Sequence, residues 1–328
     1  MATRILITGA SGFIGSFLVD AALQKGHDVV AGVRRGSPRT YLKDPRVSIL
    51  ELDYASVPRL TEQLKQAACP VVIHNAGSTG TKGEADFQGV NVVYTRNLVS
   101  ALAAGPPPER FLYISTLAVM GPGDAATMSP LKIGDPERPV TAYAKSKRDG
   151  EQIILGAPFP FTIIRPTAVY GPRDRDFLEL FKWIRRGVSP QLAPARQQLS
   201  FVYVKDLAEA TIELLSTPAP APVYLASDGN SYNRDAFGRT IAEALGQSYR
   251  SLGLPRALMM PALAVAGYVQ GWFGLYPFLT AEKVLEMTAK NWQCDSSALW
   301  RTIGRAPRYD LKAGITETLA WYRSEGWL

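Results

Sequence analysis

The chain has 328 residues, of which 46% are hydrophobic and 20% charged, a composition that excludes a disordered or fibrous protein. Its net charge of +7 is scattered without a long basic run, so we expect no nucleic-acid partner. The length suits one large α/β domain with an appendage, or two domains. Two distant cysteines and no signal-peptide pattern predict reduced thiols in a cytoplasmic protein, and no residue cluster suggests a metal site.

The N-terminal stretch combines a short apolar run, three glycines and a helical pattern. Residues 5–7 predict a buried strand, and apolar residues from Phe17 onward recur at helical spacing. A glycine turn between strand and helix lets backbone N–H groups approach a dinucleotide pyrophosphate at the helix N-terminus. The spacing differs from the usual G-x-G-x-x-G. We predict cofactor contacts from six residues of this turn: Gly9, Ser11, Gly12, Phe13, Ile14 and Gly15.

The next two strands predict the adenosine end of the cofactor site. The strand 27–33 ends at Arg34 and Arg35, where an acidic residue would bind the ribose of NAD. Guanidinium groups instead suit a 2′-phosphate, which favours NADP(H), with NAD as the alternative. The strand 47–52 is followed by Asp53, which could accept the adenine amino group, and by Tyr54.

Strands and helices continue to alternate along the chain. We predict strands at 71–74, 111–115, 161–165, 201–204 and 223–226, and helices at 60–68, 91–104, 141–155 and 206–215. This alternation predicts an α/β fold: a Rossmann doubly wound parallel sheet with a smaller, mostly C-terminal substrate-binding domain. We expect residues 1–169 plus 201–228 in the dinucleotide-binding domain and 170–200 plus 229–328 in the substrate-binding domain.

Two residues of the helix 141–155 predict proton-transfer chemistry. Tyr143 and Lys147 are four residues apart and therefore share one helix face. A nearby ammonium would lower the phenol pKa from about 10, so that Tyr143 could exchange a proton with a substrate oxygen. Thr116, or Ser115 beside it, would hydrogen-bond the same oxygen at the end of a strand. His74 follows an apolar run and is expected to be a hydrogen-bonded structural residue.

Taken together, these residues resemble the extended short-chain dehydrogenase/reductases, also called the NAD-dependent epimerase/dehydratase family. The motifs that carry the resemblance are Thr8-Gly-x-x-Gly-x-x-Gly15, His74-Asn-Ala-Gly77, Ser115-Thr-x-Ala-Val-x-Gly121, Tyr143-x-x-x-Lys147, Arg165-Pro-x-x-x-Tyr-Gly-Pro172 and Phe201-Val-Tyr-Val-x-Asp206.

The resemblance implies a catalytic set of Thr116, Tyr143 and Lys147, with Asn91 organising the site. Tyr143 and Lys147 are also expected to contact the cofactor, and Lys147 would hold the nicotinamide ribose. It also implies a homodimer through the helices 91–104 and 141–155. Further cofactor contacts are expected from Asn75, Ala76, Gly77, Ser115, Pro166 and Val169, and substrate contacts from Ser78, Thr79, Thr116, Tyr143 and Arg173.

Departures from the family pattern narrow the predicted reaction. Leu117 and Ala118 stand where sugar-nucleotide dehydratases carry an Asp-Glu pair, which argues against dehydration. Leu199 stands where many epimerases place an arginine for the substrate diphosphate, although Arg196 or Arg173 could replace it.

An uncharged run at 257–281 suggests an apolar substrate beneath a helical lid, with peripheral membrane contact the less favoured alternative. Such lids occur in the branch that resembles 3β-hydroxysteroid dehydrogenases, dihydroflavonol reductases and 3-ketoacid reductases. We therefore predict an NADP(H)-dependent oxidoreductase that interconverts a ketone and a secondary alcohol on a moderately apolar small molecule. An NAD-dependent nucleotide-sugar 4-epimerase remains the alternative within enzymes, and a cofactor-sensing regulator the alternative outside them.

Overall fold

The computed structural model describes residues 2–79, 84–192, 196–218, 220–254 and 281–328. Its strands are β1 (Arg4–Thr8), β2 (Asp28–Val33), β3 (Val47–Glu51), β4 (Val71–His74), β5 (Arg110–Ile114), β6 (Phe161–Pro166), β7 (Ala168–Tyr170), β8 (Val188–Leu192), β9 (Gln198–Leu199), β10 (Phe201–Tyr203), β11 (Val223–Ala226), β12 (Tyr232–Asn233), β13 (Arg250–Leu254) and β14 (Asn291–Trp292).

Its helices are α1 (Phe13–Gln24), α2 (Val57–Ala67), α3 (Glu84–Phe87), α4 (Tyr94–Ala104), α5 (Ala142–Leu155), α6 (Asp176–Arg185), α7 (Val204–Glu213), α8 (Ala236–Leu245), α9 (Ala281–Thr288), α10 (Ser297–Ile303) and α11 (Leu311–Ser324). A π-helical stretch, Gln88–Val93, joins α3 to α4.

A seven-stranded parallel sheet in the order β11-β6-β5-β4-β1-β2-β3 forms the centre of the molecule. Ile5, Leu6 and Ile7 of β1 are fully buried, because helices cover both faces of the sheet. One apolar cluster includes residues of α1 and α7, and the other includes residues of α2 and α4. The predicted Rossmann-type fold is confirmed, and the carboxyl ends of β1, β4 and β5 meet at one edge.

A second apolar core lies outside that sheet. Tyr170, Phe201 and Phe237 pack edge to face or tilted around one another, and residues of α6, α8 and α11 complete the cluster. Short strands from distant parts of the chain form small sheets beside it: β12-β9-β14, β10-β7 and β13-β8. The predicted division into two domains stays a prediction.

Several element boundaries differ from the sequence prediction. Helix α2 begins at Val57 instead of residue 60, because Ser56 caps it and Pro58 suits a first turn. Helical structure before α4 begins at residue 84 instead of 91, since the chain passes through the π-helical stretch. Helix α6 was not predicted, and residues 291–328 form a strand and two helices.

The uncharged run at 257–281 lies almost wholly outside the described residues. In the part of the chain that the structure describes, no helix is both long and apolar enough to cross a membrane.

Candidate active site

The glycine turn between β1 and α1 is packed so closely that side chains are excluded. Gly9 adopts a left-handed φ of +66°, and a Cβ on Gly15 would lie 2.1 Å from the Gly9 carbonyl oxygen. Gly12 is the N-cap of α1 and offers no capping side chain. The first N–H groups of α1 therefore lack a side-chain cap, which suits an anion at this helix N-terminus. The turn fits the phosphates of a dinucleotide.

A buried hydrogen-bond chain ties this turn to β4 and α4. The Thr8 hydroxyl accepts the N–H groups of Asn75 and Ala76, both at 3.2 Å, and lies 2.7 Å from His74 Nδ1. His74 Nε2 lies 3.0 Å from the Thr95 hydroxyl, which donates to the Asn91 carbonyl. Because Thr95 uses its proton there, His74 donates from Nε2 and accepts at Nδ1. The structural role predicted for His74 is confirmed.

Helix α5 brings Tyr143 beside Thr116, which follows β5. Thr141 caps this helix by accepting the Ala144 N–H at 3.1 Å. The pKa of Tyr143 is raised to about 12, mainly by burial and also by the charge of Glu286, while hydrogen bonding by Thr116 opposes the shift. The predicted Thr116–Tyr143 pair is therefore brought together at the carboxyl end of β5.

Lys147 lies one turn further along α5 and is buried. Its Nζ donates to the Ile114 carbonyl at 2.8 Å and lies 4.1 Å from the ring centre of Tyr113. Burial lowers the pKa of Lys147 to about 7, against the raising effect of Glu151. The expectation that Lys147 lowers the pKa of Tyr143 is wrong for this structure, because desolvation of the phenol dominates and the ammonium is directed at Ile114.

Asn91 fastens the loop after β4 to α5. Its side-chain oxygen accepts the Ser78 N–H at 2.8 Å, and its amide donates to the Ser78 carbonyl at 3.0 Å and the Ser146 hydroxyl at 2.9 Å. The π-helical stretch carries Asn91 to this position. A Cβ on Gly77 would lie 3.9 Å from Lys147 Nζ, so the predicted loop residues border the lysine. Ser78 also donates to Asp86, at 2.6 Å, whereas Thr79 is exposed.

The predicted adenosine-binding residues lie at the ends of β2 and β3. Arg34 and Arg35 are exposed, and within the described residues neither forms an ion pair. Asp53 accepts the Ala55 N–H and lies 3.5 Å from Arg59. Tyr54 is buried and stacks on Tyr94 with ring centres 4.9 Å apart. Its side chain is therefore part of the core below the adenosine end.

Three other residues predicted to contact the cofactor, Ser115, Pro166 and Val169, follow or belong to strands β5, β6 and β7. The Ser115 hydroxyl is buried without a hydrogen-bond partner among the described residues, so a bound cofactor could satisfy it. Pro166 ends β6, and Val169 of β7 packs against the apolar core on the α1 side of the sheet.

The structure places the Arg173 side chain against α1. Its guanidinium pairs with Asp20 of α1 at 2.9 Å and lies over the rings of Phe17 and Tyr41, 4.4 and 4.6 Å from their centres. Its Nη1 is buried without a hydrogen-bond partner among the described residues, and the predicted contact of Arg173 with substrate stays a prediction.

The acidic residues near Tyr143 and Lys147 were not identified from the sequence; they are Glu151 on α5 and Glu282 and Glu286 on α9. Glu151 continues the four-residue spacing of Tyr143 and Lys147, a signal that was available. Glu282 of α9 accepts the Ala142 N–H at 2.6 Å, and Glu286 follows one turn later. Nothing local in the sequence indicates that contact, since the two elements are 140 residues apart.

The family model for the NAD-dependent epimerase/dehydratase family matches residues 5–227, which include β1 to β11 and every residue of the site described above except those of α9. The chain belongs to this family. Membership makes it an oxidoreductase-type enzyme that uses a nicotinamide dinucleotide, NAD(P), and it confirms the resemblance to the extended short-chain dehydrogenase/reductases.

The relatives within the family have different activities. A ceramide reductase of Caulobacter vibrioides is 29% identical over 99% of this chain and 96% of its own length. A UDP-glucose 4-epimerase of Vibrio cholerae is 27% identical over 78% of this chain and 80% of its own. Mycobacterial 3-beta-hydroxysteroid dehydrogenases are also among the relatives.

The fold is shared with solved members of the family. The structure of a UDP-glucuronic acid 4-epimerase from Bacillus cereus, in complex with NAD, superposes with a TM-score of 0.77 and 20% identity, over 98% of this chain and 99% of the other.

Proposed function

We propose that this protein is an NADP(H)-dependent reductase that converts a ketone of an apolar, lipid-like molecule to a secondary alcohol. The observation that carries the proposal is the meeting of Thr116, Tyr143 and Lys147 at the carboxyl end of β5, opposite the glycine turn.

The bound nicotinamide supplies the hydride to the carbonyl carbon. Tyr143 donates its phenolic proton to the carbonyl oxygen, and Thr116 hydrogen-bonds the same oxygen. Because burial raises the pKa of Tyr143 to about 12, the phenol stays protonated at neutral pH, the state that carbonyl reduction requires. Lys147 lies one helical turn away, where its ammonium can hold the nicotinamide ribose.

The choice of NADP(H) over NAD rests on Arg34 and Arg35. Both side chains are exposed at the end of β2 and form no ion pair with a described residue, so their guanidinium groups remain available for a 2′-phosphate.

The choice of an apolar substrate rests on two features. Leu117 and Ala118, directly after Thr116, are buried where a dehydratase needs acids, and Leu117 packs in a small apolar cluster with Met120 and Leu131. The similarity to a ceramide reductase extends over 99% of the chain and therefore includes the C-terminal half. A ketone on an N-acylated long-chain base is accordingly the first substrate to test.

The test is the oxidation of NADPH by the wild type and by Tyr143→Phe, with 3-oxo long-chain N-acyl amides as substrates. We expect the variant to lose about 10³-fold in kcat while its Kd for NADPH stays within about threefold of the wild type. Tyr41→Phe, which changes a tyrosine near α1 instead, is the control and should keep full activity. Equal turnover by Tyr143→Phe and wild type would exclude Tyr143 as the acid.

A nucleotide-sugar 4-epimerase is the second candidate, favoured by the similarity to the Vibrio cholerae enzyme. It predicts NAD retained through purification and thermal stabilisation by UDP. The absence of an arginine at Leu199 argues against it, because a diphosphate without a bidentate cation loses several charge-assisted hydrogen bonds, each worth about 1.5–3 kcal/mol.

A further inference from the structure

Helix α5 carries three ionisable residues on one face at intervals of four. They are Tyr143, Lys147 and Glu151, and successive members lie one helical turn apart. Glu151 is 0% exposed and Lys147 is 4% exposed. A carboxyl group and an amino group are thus both buried, one and two helical turns along α5 from the tyrosine of the proposed reaction.

Arg165 at the end of β6 holds both oxygens of Glu151. Its Nε donates to the two carboxylate oxygens at 3.0 and 3.2 Å, and its Nη2 donates to Oε2 at 2.5 Å. The same Nη2 also pairs with Glu137, a partly exposed residue. The guanidinium therefore has two carboxylate partners, one fully buried and one at the surface.

Among the described residues, the other groups that face Lys147 bring no negative charge. On β5 they are the Tyr113 ring and the Ile114 carbonyl. On β4 His74 is fully buried, and burial together with the charge of Lys147 lowers its pKa to about 3, so that it stays neutral. Tyr143 is protonated, and Asn91, beyond Gly77, is uncharged.

Glu151 is consequently the acidic group that counteracts the burial of Lys147. Burial lowers the pKa of Lys147 to about 7, and the charge of Glu151 raises it. Arg165 binds the same carboxylate, and its positive charge therefore weakens the effect of Glu151 on the pKa of Lys147. The opposing effects of Glu151 and Arg165 therefore control the fraction of Lys147 that is protonated near neutral pH.

We propose that Glu151 is a positioning residue that keeps Lys147 protonated and that Arg165 limits its effect, so that the pair sets the charge beneath the cofactor ribose. The role of that charge in the reaction rests on the proposed function. The charge of Lys147 itself does not depend on the proposed function, because it can be measured without substrate or cofactor.

The experiment is a titration of Lys147 by NMR in the cofactor-free protein labelled with ¹³C at lysine Cε, with the signal assigned by its loss in Lys147→Met. The wild type is compared with Glu151→Gln, Arg165→Gln and Glu137→Gln. Glu137→Gln is the matched control, because it removes a carboxylate from the same guanidinium at the surface.

We expect Glu151→Gln to lower the titration midpoint of Lys147 by about one pH unit. Arg165→Gln should raise it, since the carboxylate then faces Lys147 alone. The control should leave it unchanged within about 0.3 unit. A purely structural pair would not shift the midpoint in opposite directions, so shifts of the same sign, or none, would overturn the proposal.

Two further measurements keep the outcome unambiguous. If Glu151→Gln does not fold, Glu151→Asp replaces it. This variant keeps the carboxylate and should keep the titration midpoint of Lys147 near that of the wild type. Arg165→Gln then still tests whether the midpoint rises. Where reductase activity is present, the alkaline limb of its kcat/KM profile should move to lower pH in Glu151→Gln. Opposite NMR shifts without reductase activity would support the role of the pair and overturn the proposed function alone.

Discussion

The central sheet and the aromatic core are built from the chain in different ways. In the sheet, each strand from β1 to β6 is long enough to be recognised locally and pairs in register with parallel neighbours. In the second region, β9 is a two-residue strand that pairs with Tyr232–Asn233 on one side and Asn291–Trp292 on the other.

This difference predicts different consequences of substitutions in the two regions. The residues around the glycine turn are fixed by short connections and backbone contacts, and a repeated strand-helix pattern is sufficient to place them. The aromatic core instead depends on side chains such as Tyr170, Phe201 and Phe237 that come from distant segments. We therefore expect substitutions around the glycine turn to change the affinity for the cofactor, and substitutions in the aromatic core to change the free energy of unfolding.

The largest expected effect is that of Gly15→Ala. Alanine in a helix is ordinarily about 1 kcal/mol more favourable than glycine, but here its Cβ would lie 2.1 Å from the Gly9 carbonyl oxygen. The turn must open, and we expect at least about 100-fold weaker binding of NADPH, or about 2.7 kcal/mol, measured by fluorescence titration.

Gly89→Ala is the control for this variant. Gly89 is also helical, but a Cβ there meets no atom within 4 Å, so the affinity for NADPH should not change. Wild-type affinity in Gly15→Ala would mean that the glycine turn is not the phosphate site.

A smaller effect is expected from Arg34→Ala and Arg35→Ala. Each removes a charge-assisted hydrogen bond worth about 1.5–3 kcal/mol, so the Kd for NADPH should rise about 10- to 100-fold while that for NADH stays constant. Arg39→Ala is the control, because Arg39 already pairs with Glu51. Equal losses for NADH and NADPH would show that these arginines do not select the cofactor.

The smallest effect is a pH dependence in the second region, at Asp174. Its Oδ1 accepts the Asp176 N–H at 2.8 Å, and its Oδ2 is buried without a partner among the described residues. Burial raises its pKa from 3.8 to about 7. Between these two values the folded state binds more protons than the unfolded state, so this carboxyl makes stability fall as the pH rises.

Asp174→Asn should remove that dependence. We expect its free energy of unfolding in urea to match the wild type near pH 4 after correction for the lost carboxyl, and to gain about 1–3 kcal/mol relative to the wild type between about pH 4 and 8. Glu243→Gln, at an exposed position of α8 that has no part in the shift of Asp174, is the control. The same pH dependence in wild type and Asp174→Asn would show that Asp174 ionises freely.

The sequence was a reliable guide where function depends on backbone and spacing. The parallel fold, the pairing of Tyr143 with Thr116 and the role of His74 follow from strand ends and helical periodicity. The ion pair of Arg173 with Asp20 was not predicted, because Asp20 lies more than 150 residues earlier in the chain. The low pKa expected for Tyr143 is wrong because spacing reveals a neighbouring charge but not the loss of water around the phenol.

By itself, then, the sequence determined the fold and the family and supplied the candidate reacting residues, since these depend on apolar periodicity and on motifs a few residues long. Only the tertiary structure decided the desolvation of Tyr143 and Lys147, the contacts of Glu151 with Arg165 and the approach of α9 to α5. Burial and long-range ion pairs control those properties, and both arise only when segments far apart in the chain exclude water together.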